Sequence, residues 1–136
     1  MSLLEKINKV KEFHQVFKLE YHESPVSEIN PKIVELRHRL MQEENEEYLE
    51  ACRKNDLTEI ADALGDKLYI LFGTILAHGL QYKIEEVFDE IHRSNMSKLD
   101  DQGKPIYRED GKIMKSNNYF LPDISKILET EKQNSL

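Results

Sequence analysis

"MQEENEEYLEACRKNDLTEIAD", residues 41–62, decides the fold. Its first half places five glutamates in eight positions, and like charges at i,i+4 spacing cost a helix roughly 0.2–0.5 kcal/mol per pair. Those glutamates are therefore either solvated or gathered round something cationic. The polar turn "RKNDLTE" follows, and Asp56 with Glu59 three residues on has the spacing of a capping box that opens another helix. A turn this short makes the two flanking helices an antiparallel hairpin.

Working outward, Asn30 followed by Pro31 is an N-cap with a first-turn proline, so the second helix runs from there to about Arg53. The third helix ends near His78, with Gly79 as its left-handed cap. Upstream, Leu4, Ile7, Val10, Phe13 and Phe17 recur at threes and fours and give an amphipathic first helix, followed by a loop, "YHESPVSEIN". Downstream, Ile84, Val87, Phe88 and Ile91 mark one face of a fourth. After about Ser94 the chain turns rich in Gly, Pro, Asn and Asp, with Asp110-Gly111 as the turn of a small hairpin and a short helix over residues 124–130. The final residues are expected to fray. The fold class is all-α: one domain, residues 1–136, with a four-helix bundle to about residue 95 and an appended arm over 96–136.

The chain has 136 residues, 39% hydrophobic and 33% charged, the balance of a globular protein with one core. No apolar run has the length of a membrane span, and the N-terminus lacks the pattern of a signal peptide, so a cytoplasmic location is expected. A single cysteine, Cys52, allows no internal disulfide and reads as a packing residue. The formal net charge of −7 argues against a nucleic-acid polymer as partner, because phosphate binding needs clustered Lys and Arg. A small anionic ligand would need a metal or a local basic pocket.

On the second helix, Ile33, Leu40, Met41, Tyr48 and Ala51 share the face that turns to the core. Glu44 falls in the middle of that arc, Glu47 near its edge and Glu43 just beyond, whereas Glu46 and Glu50 point away into solvent. Two or three of the five glutamates are thus expected to face the interior. The third helix is apolar nearly all round and reads as buried, interrupted by a stripe of Glu59, Asp62, Asp66, Tyr69 and Gly73. Ionised carboxylates cannot stand unpaired in an apolar interior, and Lys67 cannot neutralise them all. A hard divalent cation, Mg²⁺ or Mn²⁺, answers the problem, with Glu44 and Glu47 facing Glu59 and Asp62 across the hairpin.

"EENEE" followed by "EIAD" resembles the EExxE and ExxD pair of the MazG-like all-α nucleoside triphosphate pyrophosphohydrolases. "EIADALGDKLYILFGTILAHG", "EIHRSNMSKL" and "GKPIYREDGKIMKSNNYFLPD" are similar to the phage-type, phosphoribosyl-ATP-pyrophosphohydrolase-like branch, so the resemblance covers most of the chain. It implies that Glu44, Glu47, Glu59 and Asp62 hold Mg²⁺, that Glu43 completes a second metal position or orients the attacking water, and that Asp66 supports the cluster beside the substrate, with Tyr69 on the same stripe. Either Glu43 or Glu44 is then the general base. The implied reaction cleaves the α–β bond of an NTP or dNTP to give the monophosphate and pyrophosphate. Arg93, Asn95, Lys98, Lys112 and Lys115 resemble the family's phosphate-side residues, and "EFHQVF" resembles the segment contributing to its base pocket, which makes His14 and Phe17 candidates for nucleobase contact.

Rival readings are a dUTP-preferring hydrolase of the same fold and a non-catalytic helical protein that dimerises through the third helix. A di-iron bundle would use Glu-x-x-His pairs, for which "ELRH" (Glu35, His38) and "DEIH" (Asp89, His92) are the nearest matches, both off the core faces. Because a small bundle cannot cover every apolar face of the third helix, self-association is expected: a two-fold homodimer, or a dimer of dimers as a tetramer.

Overall fold

A computed structural model describes residues 2–130. In chain order it contains α1 (Leu3–Val16), α2 (Pro31–Arg53), α3 (Leu57–Ala77), α4 (Ile84–Met96), the strands β1 (Ile106–Tyr107) and β2 (Ile113–Met114), and α5 (Ile124–Glu129). The class is all-α with a C-terminal hairpin and short helix, as the sequence indicates. The expected fraying of the last residues falls outside the described residues. Contacts group the chain into two units that meet between Tyr82 and Lys83, so α4 goes with the arm; the sequence had suggested a division near residue 95.

In the first unit the α2–α3 turn is fixed by backbone geometry. Asn55 takes the left-handed conformation at φ 53°, its N–H donates to the Cys52 carbonyl at 3.0 Å, and the Asp56 N–H donates to the Ala51 carbonyl at 3.1 Å. This paired arrangement closes one helix while leaving the next residue free to start another. The Asp56 side chain then accepts from the Glu59 N–H at 3.0 Å, capping α3. Because the Asp56 N–H is already satisfied by Ala51, the capping box is only half built, and the Glu59 carboxylate is not drawn back into it. Asn30 caps α2 by accepting from the Lys32 N–H at 2.9 Å, with Pro31 in the first turn.

The same closing motif ends α3: the Gly79 N–H donates to Leu76 and the Leu80 N–H to Ile75, both at 3.0 Å. Gly79 sits at φ 67°, where a Cβ would run into the Ser24 carbonyl. The segment between α1 and α2 wraps this helix end, the His22 N–H donating to Leu76 at 3.0 Å and the Val26 N–H to His78 at 2.9 Å.

Among the described residues the buried apolar set is small and comprises Ile7, Val10, Ile29, Ala51, Ala63, Ile75, Leu76 and Ala77. The expectation that α3 is buried all round needs correction. Helices α1 and α2 pack against it, yet Leu57 is 78% and Leu68 53% exposed, with Leu64 and Leu71 also open to solvent. Together with Ala61 and Ile75 these residues repeat at alternating spacings of four and three along the side of α3 that faces away from α2. Two neighbouring helices cover only part of a cylinder.

In the second unit the side of α4 that packs is marked by Ser94, which is buried and donates through Oγ to the Phe120 carbonyl at 2.7 Å. Phe88 and Ile91, on the apolar face that the sequence marks, are exposed. Glu90 accepts from the Asp123 N–H at 2.8 Å, and Asp123 in turn caps α5. The hairpin pairs Ile106 with Met114 and Tyr107 with Ile113, and its loop covers residues 109–111 around the expected Asp110-Gly111 turn. Among the described residues no helix is long and apolar enough to cross a membrane.

Candidate functional site

The antiparallel α2–α3 hairpin brings the two acidic motifs to one place. Glu44 is half-buried, and its Oε1 is sealed from solvent with no hydrogen-bond partner. Its carboxyl is pushed above the usual carboxylate range, first by loss of hydration and then by the charges of Glu47, Asp66, Asp62 and Glu43. Both helices thus contribute acids to the neighbourhood of a single buried oxygen. A cavity of about 170 Å³ on the same hairpin is lined by Glu47, Glu59 and Asp62, together with Glu50, Ala51 and Lys54.

Glu43, Glu47, Glu59, Asp62 and Asp66 are exposed, so the expectation of two or three interior glutamates holds only for Glu44. The hairpin is open to water along the edge that carries them, and a solvated edge tolerates charge that a core does not. Among the described residues no ion pair reaches any of these six carboxylates. Lys67, the cation nearest in sequence, donates instead to the Asn45 side chain. Nor, among the described residues, are three or more His, Cys, Asp or Glu side chains already drawn together as a metal-binding group. The exposed positions of Glu35, His38, Asp89 and His92 give the di-iron reading no support.

Farther along the same hairpin lies a second cavity, about 540 Å³, whose wall includes His14, Arg37, Leu40 and Tyr69. Phe17 stands outside it, 61% exposed, with its ring 4.4 Å from that of Phe13, which does line the wall. Arg37 lies across α3: its Nε donates to Thr74 Oγ1 at 3.0 Å and its Nη2 to the Ile70 carbonyl at 2.7 Å. Gly73 makes this crossing possible, because a Cβ there would strike the guanidinium. Sequence reasoning missed Arg37. The available signal was a glycine on the α2-facing stripe of α3, which marks the close approach of a bulky group.

The remaining candidates belong to the second unit. Arg93 is engaged by Glu90, Nε to Oε1 at 3.0 Å, and lies over the Phe120 ring. Lys115 sits over the Tyr119 ring at 4.8 Å, Asn95 and Lys112 are exposed, and Lys98 is half-buried.

A family model described as phosphoribosyl-ATP pyrophosphohydrolase matches residues 10–95, the span that carries both cavities and all six acids. The chain belongs to the phosphoribosyl-ATP pyrophosphohydrolase family. Membership places it in the MazG-like superfamily. It is also similar to "Uncharacterized protein L479" of Acanthamoeba polyphaga mimivirus, 30% identical over 87 residues, which cover 64% of this chain and 32% of that protein. The chain therefore spans about a third of that relative's length. The hairpin and α5 lie beyond the part the family model matches.

Proposed function

We propose that this chain is a Mg²⁺-dependent nucleoside triphosphate pyrophosphohydrolase that cleaves the α–β bond of an NTP or dNTP. The observation that carries the reading is the buried, unpartnered Glu44 oxygen ringed by acids from both helices, none of which is ion-paired among the described residues. The donor set fits a hard divalent ion, Mg²⁺ or Mn²⁺, since all its ligands are carboxylate oxygens. Glu47, Glu59 and Asp62, which line one cavity, would hold it together with Glu44. When bound, such an ion lowers the pKa of a water and withdraws charge from phosphoryl oxygens.

The protein's own groups do the rest. Glu44 and Glu43 are the candidates for taking the proton of the attacking water. Asp66 adds negative charge behind the cluster. The larger cavity would hold the nucleoside, with His14 and Tyr69 in its wall. Arg93, Asn95, Lys98, Lys112 and Lys115 remain phosphate-side candidates by the family resemblance alone.

The exposed four-and-three repeat on α3 supports a two-fold homodimer as the working form, with a second copy covering Leu57, Leu64, Leu68 and Leu71. A cytoplasmic location accompanies a nucleotide substrate. The test is pyrophosphate release from a panel of NTPs and dNTPs, uridine and deoxyuridine triphosphates included, with Mg²⁺ and with chelator. Release that requires Mg²⁺ supports the reading. No release from any nucleotide would leave the non-catalytic dimerisation protein as the better account.

A further inference from the structure

The side of the hairpin that borders the two cavities changes character in one direction. On α2, Leu36, Leu40, Glu43, Glu47, Glu50 and Lys54 recur at alternating spacings of four and three and so share one side of the helix. Leu36 and Leu40 line the larger cavity, whereas Glu47, Glu50 and Lys54 line the smaller. On α3, which runs antiparallel, Tyr69 lines the larger cavity and the earlier residues Asp62 and Glu59 the smaller. This side of the hairpin is therefore largely apolar at one end, acidic in its middle and cationic beside the α2–α3 turn. Lys54, among the described residues, is the one cation lining the smaller cavity. It is exposed, and its backbone N–H closes α2 on the Glu50 carbonyl at 3.2 Å. Among the described residues its ammonium is ion-paired with none of the acids that share the cavity.

We propose that Lys54 is a phosphate-binding residue that holds the β- and γ-phosphates of the substrate, the part released as pyrophosphate. The proposal rests on the nucleotide reading above and adds a subsite to it, separate from Arg93, Asn95, Lys98, Lys112 and Lys115 of the second unit. Charge calls for such a group. Glu44, Glu47, Glu59 and Asp62 outnumber the two charges of one divalent ion, so phosphates that extend past the ion meet a surface negative on balance. A lysine beside those acids offsets the repulsion and donates to phosphate oxygens as a compact charge. The order along α2 also suits a nucleotide. Lys54 follows Leu40 by 14 residues and Glu47 by seven, about 21 Å and about 10 Å along the helix at 1.5 Å per residue. A nucleoside in the larger cavity with its α-phosphate at the acids directs its outer phosphates toward the turn, where the flexible four-carbon stem of Lys54 reaches back to meet them.

The experiment is calorimetric titration of the full chain, in Mg²⁺, with inorganic pyrophosphate, on the parent protein, Lys54→Met and Lys54→Arg. Lys54→Met is expected to weaken pyrophosphate binding at least about tenfold, the scale of a lost hydrogen bond to a charged group, and Lys54→Arg to keep it within about threefold. Mn²⁺ binding without pyrophosphate should weaken in neither variant, because the lysine holds no metal, and it reports at the same time that each variant is folded. A lysine that merely offsets the acids would leave pyrophosphate affinity unchanged when replaced by methionine, and that result would overturn the proposal. Loss of Mn²⁺ binding together with pyrophosphate binding, failure of Lys54→Arg to retain affinity, or no pyrophosphate binding by the parent would each overturn it as well. The two readings separate. Pyrophosphate binding that depends on Lys54, without hydrolysis of any nucleotide, would sink the hydrolase reading alone, and hydrolysis with pyrophosphate binding indifferent to Lys54 would sink only this subsite.

Discussion

Glu44 is both desolvated and surrounded by like charge, and its neutralisation should be measurable before any substrate is added. Its carboxyl ionises at higher pH in the folded chain than in the unfolded one, so the metal-free fold loses stability as pH rises from about 4.5 through that higher value. Glu44→Gln removes the cost. Its metal-free melting temperature at pH 8 should rise by about 2 °C, the scale of one relieved like-charge pair, while pyrophosphate release falls by at least about a hundredfold. His14 acts in the opposite sense. Burial, and to a lesser extent the Arg37 charge, holds its imidazole below the ordinary histidine range against a partly offsetting bond to the Glu20 carbonyl. The unfolded chain takes up the proton first, so the His14 contribution is complete above about pH 6.5 and is lost as pH falls through the folded value. Melting curves between pH 8 and pH 5 should show this loss in the parent protein and a shallower one in His14→Gln. Arg37 faces the ring from α2 and the Tyr21 ring lies edge-on to it, 6.5 Å away.

At the scale of elements, the hairpin turn and its caps were legible in the sequence because they depend on local backbone chemistry: Asn30-Pro31, Asp56 and Gly79 all stand where their residue types indicated. The reach of Arg37 across α3 was not, because it depends on which residue of α2 faces Gly73 and no local rule supplies that register. Gly73→Ala tests it. In an exposed helix the change would stabilise by up to about 1 kcal/mol, whereas here the new methyl must displace the guanidinium, and overpacking of this kind costs about 1–3 kcal/mol. A net loss of stability in urea unfolding is the expected result. An unchanged or raised midpoint would show that Arg37 yields without cost.

For the whole molecule, the chain's sparse buried set and the open side of α3 have one cause: too few neighbouring helices for an element this apolar. The sequence showed the apolar surface of α3 but not where it would stay uncovered, since periodicity does not distinguish a face buried within the chain from one left for a partner. That same ambiguity placed Glu47, Glu59 and Asp62 in the interior, when they line an open cavity. Sedimentation of the parent protein should show a dimer, and Leu68→Lys, at the middle of the exposed repeat, should shift it to monomer with a lower melting temperature. A monomeric parent at micromolar concentration would remove the dimer from the account.

The central claim is that carboxylates from α2 and α3 act jointly on one divalent ion. Its most direct measurement is Mn²⁺ titration of the parent chain, of Glu47→Gln, of Asp62→Asn and of the double variant. Each single change should weaken binding at least about tenfold, and the double variant should lose less than the sum of the two, as residues sharing a ligand do. Absence of Mn²⁺ binding by the parent, or a loss confined to one helix, would contradict the claim.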